Sequence, residues 1–404
     1  MQYQITEHVE WRHWVTPKGA KEKAVHRWYL FPHSFTDDLV HALIDEWGLN
    51  DQDKILDPFV GAGTTLLVAK EMGIPSNGYD LSPLAVLASN TKTATFSRQR
   101  LEAAWQTLEP TLVYDSMVPM DRVYPELVQK ALPEGRLEVL DAIATGIDNL
   151  NCSSSEQDFF RLALISIIPR FSHAVANGGW LRWLNQGTSA ENVTNFFKKQ
   201  VEMMLSDVCD TAPQGDRYWE ARAADARAMP ASDAEYSAVI TSPPYPNRHD
   251  YTRIFGVELM FAFHNWEENR ALRYQTFHSH PEARPNRPSA EKYKPPEALE
   301  NSVRDLSDKR MRRMLDGYFL DMYLCLYEVV RVCSKGAKIA FVVGNTQYDG
   351  TAILVDEFTA EIGEQAGLTC KEIRAVRWRG NSAQQMGKYG RVASRESVVM
   401  FEKP

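Results

Sequence analysis

Cysteine is scarce in this chain, and what there is does not pair. Its five cysteines, Cys152, Cys209, Cys325, Cys333 and Cys370, form no Cys-x-x-Cys couple, which argues against both a disulfide framework and a zinc knuckle. Long apolar runs are missing too. Leu162 to Ile168 is typical, far short of the ~20 residues that span a bilayer. The opening MQYQITEHVEWRHW is polar and aromatic, unlike a secretory leader, so a soluble cytoplasmic protein in a reducing compartment is expected, with no membrane partner. Positive charge is not in excess: 45 Lys and Arg stand against 53 Asp and Glu, a net −8. No global field advertises nucleic acid, which leaves only a local patch to bind it. Finally, no glycine-rich turn ends in Gly-Lys-Ser/Thr, so the phosphate-neutralising lysine of a nucleoside triphosphate loop is lacking.

What is present is a globular composition, 44% hydrophobic and 24% charged over 404 residues, enough for two or three domains or one large domain with insertions. Lys54 to Phe59 (KILDPF) reads as a strand, a glycine-bearing turn follows, and Thr64 to Met72 has helical spacing. Ser76 to Leu81 repeats the strand signal. Ser82 and Pro83 then open a helix to Thr91 as cap and first-turn proline. A βαβα start predicts a parallel, doubly wound α/β sheet. Further strand-like segments at 218–225, 238–241, 338–343, 369–378 and 397–402 bring the total to about seven. Between them, 92–215 has mostly helical periodicity and reads as an insertion, whereas 265–313 is a Pro-, Arg- and His-rich excursion, irregular with helical ends.

Asp57 to Thr65 (DPFVGAGTT) sets Gly61 and Gly63 at the strand-to-helix turn, where absent β-carbons let a ligand approach the backbone. Taken alone, the pair is no more than a tight connection. Asp80 adds meaning, since a carboxylate at the end of the next strand is placed to hold ribose hydroxyls. Asp225, at a later strand end, is suited to the adenine side of such a ligand, and equally to plain solvation. Trp28 to Leu43 places aromatics and a Phe-Pro turn before an amphipathic helix, either a packed element or a cover for the ligand's far end.

Ala238 to Tyr245 (AVITSPPY) is an apolar strand halted by two prolines. The backbone must turn away at the strand's carboxyl end, where open α/β sheets bind ligands. A serine hydroxyl, a free proline carbonyl and a tyrosine face together suit a planar heterocycle bearing an amino group.

The set DPFVGAGTT, Tyr79-Asp80 and SPPY resembles the amino-group DNA methyltransferases over about two thirds of the chain. That resemblance implies a Rossmann-like class I methyltransferase fold and S-adenosyl-L-methionine as cofactor. It also implies DNA as partner, with a flipped base, and a restriction or antiphage partner protein as company. By it, residues 1–91 and 216–404 form the catalytic domain, with 92–215 as target-recognition region. Asp57, Pro58, Phe59, Gly61, Gly63, Thr64 and Thr65 would cradle the methionine end, Asp80 and Leu81 the ribose, Asp225 and Ala226 the adenine. Trp28, Tyr29 and Phe31 would close over them. Ser242, Pro243, Pro244 and Tyr245 would be the catalytic tetrapeptide, and serine in its first place points to N4 of cytosine rather than N6 of adenine. Direct displacement requires no covalent intermediate; no Pro-Cys dipeptide occurs for ring-carbon methylation, and no metal is expected.

Asn247, Arg248, Tyr251 and Arg253 (PNRHDYTR) follow the tetrapeptide and suit a nucleotide or its phosphates; Asn345, at the next strand end, would frame the base. Lys371 to Arg395 carries a local excess of basic side chains fit to face phosphates. Trp180, Arg182 and Trp183 are groove-contact candidates, although tryptophans in such a segment more often pack a core. His278 and His280 read as a solvated loop pair. Adenine or RNA amino methylation, protein-amide methylation, and a non-catalytic nucleic-acid-binding relative are the competing functions.

Overall fold

The computed structural model describes residues 3–17, 19–32, 34–112, 122–177, 179–184, 187–209, 218–380, 390 and 393–404. Its strands are β1 Ile5–Glu7, β2 Ile55–Asp57, β3 Ser76–Asp80, β4 Ala174–Asn177, β5 Trp180–Trp183, β6 Trp219–Ala223, β7 Tyr236–Thr241, β8 Cys333–Gly344, β9 Thr346–Tyr348, β10 Thr351–Ile353, β11 Thr369–Gly380 and β12 Ala393–Glu402. Eight of them make one sheet in the order β1-β11-β12-β8-β7-β2-β3-β6. From β6 to β8 all neighbours are parallel, whereas β12 runs antiparallel to both β8 and β11. The chain builds outward from β2 in opposite directions, to β3 and β6 on one side and to β7 and β8 on the other. The carboxyl ends of β2 and β7 therefore border the crevice that such a reversal opens.

The sheet is an α/β, doubly wound one, with every expected strand present. It has one strand more than the sequence suggested: β1, parallel to β11, is three residues long with an exposed–intermediate–exposed pattern, too short for a periodic signal. Alternate residues of β8 feed the two faces, as a period of two requires. Ile339, Phe341 and Val343 pack with Tyr318, Phe319 and Phe401 on one face; Ala340 and Val342 pack with Leu39, Leu43 and Ile240 on the other.

Between β3 and β6 run the helices Arg98–Leu108, Glu126–Ala131, Arg136–Asp148, Ser154–Phe171 and Val193–Asp207. They share a core that includes Leu140, Phe159, Phe160, Phe171 and Phe197, each fully buried. Ser153 and Glu156 close a reciprocal cap at the start of the long central helix. The segment around NGGWLRW touches that core, among the described residues, only through Ala174 and Leu181: β4 and β5 form an antiparallel hairpin on which Trp180 is 63% and Trp183 50% exposed.

Within 265–313, helices Trp266–Gln275 and Glu297–Arg304 flank an irregular stretch. His278 and His280, expected in solvent, are buried. His280 meets Thr276 Oγ1 at 2.9 Å; for His278 the cause is Asp321, fully buried on helix Lys309–Val332. It collects the His278 backbone N–H at 2.9 Å, Arg287 Nε at 2.6 Å and Arg227 Nη1 at 2.9 Å, because an interior carboxylate must be paired. Among the described residues, no helix is long and apolar enough to cross a membrane.

Candidate functional site

Two cavities meet at the carboxyl edge of β2 and β7. The first, of about 160 Å³, is lined by residues of the Asp57–Thr64 turn, by Asp80 and Leu81, by Asp225 and Ala226, and by the Ser242–Tyr245 tetrapeptide. Phe31, Phe59, Phe255 and Phe277 supply apolar walls. The second, of about 240 Å³, shares Ser34, Phe35, Ser242 and Tyr245 with the first and adds Val342, Arg377, Arg379 and Glu396. The tetrapeptide is the partition between them.

The first cavity is built by backbone turns and two carboxylates. Gly61 has φ 49°, a left-handed conformation that favours glycine, and its N–H donates to Asp80 Oδ2 at 3.1 Å. Asp80 Oδ1 accepts from the Ser82 N–H at 2.9 Å, so the carboxylate is aimed by the loop it serves. Burial raises the Asp80 carboxyl, opposed by the N–H donors of Ser82 and Gly61. Asp57 sits beneath the turn, buried, accepting from Thr241 Oγ1 at 2.6 Å and the Phe59 N–H at 3.1 Å; burial pushes its carboxyl up to about 6. It braces β2 against β7 at the floor of the cavity, which it also lines.

Lys92 is a further brace, unsuspected from sequence. Its Nζ, buried, donates to the carbonyls of Tyr29 at 2.7 Å and Ala62 at 3.0 Å, tying the N-terminal element to the glycine turn. Burial without a counter-ion lowers this lysine to about 7.

Several expected contacts fall elsewhere. Trp28 and Tyr29 do not line either cavity. Trp28 Nε1 donates to Asp207 Oδ2 at 3.0 Å and the ring packs on Phe159, so it joins the N-terminus to the helical insertion. Tyr29 stands behind Phe31, edge to face at 5.6 Å, and only Phe31 reaches the crevice. Gly63 and Thr65 are also off the lining: a β-carbon at Gly63 would meet Ser89 at 2.8 Å, and Thr65 Oγ1 donates to the Ile240 carbonyl at 3.2 Å. Both serve packing. Pro58 and Thr64 do line it. Asp225 lines it as well, with its carboxylate gripped by Arg227, at 2.8 Å from Nε and 2.7 Å from Nη2.

At the partition, Ser242 Oγ donates to the Val342 carbonyl at 3.1 Å, which leaves its lone pairs as acceptors. The Tyr245 ring is pressed against Gly344, where an added β-carbon would come within 2.9 Å of it, and Arg379 lies over the ring at 5.9 Å. Its hydroxyl donates to Glu396 Oε1 at 3.2 Å.

Of the four candidates Asn247, Arg248, Tyr251 and Arg253, only Tyr251 lines a cavity. Asn247 Oδ1 accepts from the His249 N–H in a local turn. Arg248, exposed with φ 68°, lies over Tyr348. Arg253 is held by Glu282 at 2.7 Å and stacks on Trp180 at 4.6 Å. Asn345 is spent on capping: its Oδ1 accepts from the Asp356 N–H at 3.1 Å.

The basic stretch is divided. Arg374 pairs with Glu46 and Glu372, and Arg395 with Asp356 and Glu357, so neither is a free phosphate contact. Lys388 and Arg391 lie outside the described residues. Arg377 and Arg379 line the second cavity. Together with Glu396 they are site residues that motif reading missed, as it missed the Phe255 and Phe277 walls of the first cavity. The signal available was slight: the charged Arg395 and Glu396 interrupt the approach to the apolar run Val398 to Phe401.

The DNA methylase family (N6_N4_Mtase) matches residues 4–90. Over 451 residues the chain is 29% identical to Type II methyltransferase M.BsoBI of Geobacillus stearothermophilus, spanning 96% of this chain and 88% of that protein. With Type II methyltransferase M.AvaI of Nostoc sp. it shares 26% identity over 433 residues, spanning 96% and 89% respectively. TrmN from Thermus thermophilus aligns over 91% of this chain and 49% of its own, at 12% identity and a TM-score of 0.31, too slight a likeness to carry an argument.

Proposed function

We propose, from the premise that this chain belongs to the S-adenosylmethionine-dependent amino-group DNA methyltransferases, that it methylates N4 of cytosine in a base rotated out of the duplex. The observation carrying this reading is that Ser242 and Tyr245, the two ends of the tetrapeptide, line both of two adjoining cavities. One cavity has the apolar walls and strand-end carboxylate that suit the cofactor, and the other, with Arg377, Arg379 and Glu396 in its lining, suits a base. Serine as the first tetrapeptide residue favours cytosine, by the family resemblance.

The cofactor fits the first cavity by the chemistry of its lining. Asp80 would hold the ribose hydroxyls, Phe59 and Ala226 the adenine, and Phe31 with Gly61 the methionine portion. When bound, it supplies an activated methyl group. The protein's own part is to bind, orient and exclude water. Ser242 Oγ and the Pro243 carbonyl accept the amino hydrogens, which draws the nitrogen toward tetrahedral geometry and frees its lone pair. Tyr245, immobilised by Gly344 and Arg379, offers a rigid stacking face.

DNA would approach over the β4–β5 hairpin. Its exposed Trp180 and Trp183, with Arg182 between them and Arg253 stacked beneath Trp180, present aromatic and cationic groups close to the tetrapeptide. The test is nucleoside mass spectrometry on DNA from cells expressing the protein. N4-methylcytosine, lost on Ser242→Ala, is expected; N6-methyladenine in its place would reassign the base.

A further inference from the structure

Glu396 opposes Gly344 in the β12–β8 register and lines the second cavity beside Ser242. It is 3% exposed, an unusual place for a carboxylate unless it is paired. Its Oε1 accepts from the Tyr245 hydroxyl. Its Oε2 is also buried but has no hydrogen-bond partner among the described residues. Arg377 Nη1 at 3.6 Å and Arg379 Nε at 3.8 Å, both from β11, face that oxygen at ion-pair distance. Together with Tyr245 they are, among the described residues, the charged and titratable groups around it. A buried acceptor left unsatisfied costs about 1–3 kcal/mol, and in native proteins such a group commonly awaits a ligand or a catalytic role.

We infer that Glu396 is the group that accepts the proton released by the exocyclic amine of the target base. This inference rests on the amino-methylation reading above and deepens it. As the amine's lone pair forms the new N–C bond, the methyl carbon's bond to sulfur breaks and its electron pair stays on sulfur. The nitrogen then carries one proton too many. Ser242 and the Pro243 carbonyl accept hydrogen bonds but are too weakly basic to take that proton, whereas Glu396 lines the same cavity as Ser242 and its carboxylate takes it. The N–H electron pair returns to nitrogen, and the proton leaves later through the cavity mouth. Burial raises the Glu396 carboxyl, opposed by the two arginines, so it is a better base than an ordinary glutamate.

The test is E396Q, whose amide oxygen still accepts from Tyr245 but takes no proton. A fall in kcat of ~10²-fold with KM for DNA within about threefold is expected, together with loss of the acidic limb of the wild-type pH profile. E396D should recover part of the rate. S-Adenosylmethionine binding by calorimetry, at a cavity that excludes Glu396, should be unchanged. In the cofactor-free protein, isotope-edited infrared spectroscopy should show several glutamate carboxyls titrating above the usual range, one of them absent from E396Q. Wild-type kcat and pH profile in E396Q would overturn the inference and leave Glu396 as an anchor for Tyr245. If E396Q loses cofactor binding, the wild-type profile decides: a kcat that falls with acid through one group supports the role, and a flat one overturns it. Absence of methyl transfer by the wild type would instead remove the amino-methylation reading, and this inference with it.

Discussion

The two cavities on either side of Ser242 each contain a buried carboxylate, and these are treated in opposite ways. Under the first cavity, Asp57 is bound by Thr241 and the Phe59 N–H, so its charge belongs to the scaffold. Beside the second, Glu396 has one oxygen on Tyr245 and the other without a hydrogen bond. The cofactor side is thus complete before anything binds, with rigid turns and aromatic walls. The base side holds an unmet demand, which is what a pocket for a transient, extruded guest needs.

The sharpest way to break this contrast is Ser242→Ala, which removes an acceptor from the partition itself. Methyl transfer should fall by ~10²–10³-fold, as when one preorganised hydrogen-bonding group is lost, while calorimetry finds cofactor affinity nearly intact. Equal losses of both would mean that the two cavities are not separable. Glu258 tests the first cavity's apolar wall next. It lies in helix Gly256–Ala262, whose Leu259 lines the crevice, and burial pushes its carboxyl up to about 7. Because this value is raised on folding, the favourable contribution is whole below the unfolded carboxyl range and is lost as pH rises through about 7. Glu258→Gln should therefore stabilise the protein at pH ~8, by up to ~3 kcal/mol, and do nearly nothing at pH ~4. A denaturant series at both values that shows no difference would refute it.

Asp80→Ala should weaken cofactor binding by about 1–3 kcal/mol, leaving Gly61 without the acceptor that fixes its turn. Base-side variants, Arg379→Ala for example, should not move that affinity, and calorimetry across both would expose any coupling. The smallest expected effect is at the hairpin. Trp180→Ala removes one stacking face and should weaken DNA binding by ~1 kcal/mol without touching cofactor affinity. Fluorescence anisotropy in fixed salt measures it, and unchanged DNA affinity would remove the hairpin from the interface.

Local chemistry explains which parts were legible beforehand. DPFVGAGTT and TSPPY are contiguous segments whose glycines and prolines dictate the backbone, so their place at strand ends followed from composition and order. Trp28 and Tyr29 were misplaced because an aromatic run signals burial without saying which partner buries it. Asp207, 179 residues away from Trp28, decided that. Trp180 and Trp183 failed the opposite expectation: the hairpin leaves their rings exposed, and it packs so closely at Gly179 that a β-carbon there would collide with the Arg248 carbonyl.

By itself, the sequence determined the sheet, the two motif corners and the chemistry each corner suits, since these depend on residue type at short spacing. Only the tertiary structure decided that β12 returns antiparallel against β8, which brings Glu396 opposite Gly344 and onto Tyr245. Strand pairing acts between residues distant in the chain, and the environment of a carboxylate, satisfied or wanting, is a property of the neighbours that pairing delivers.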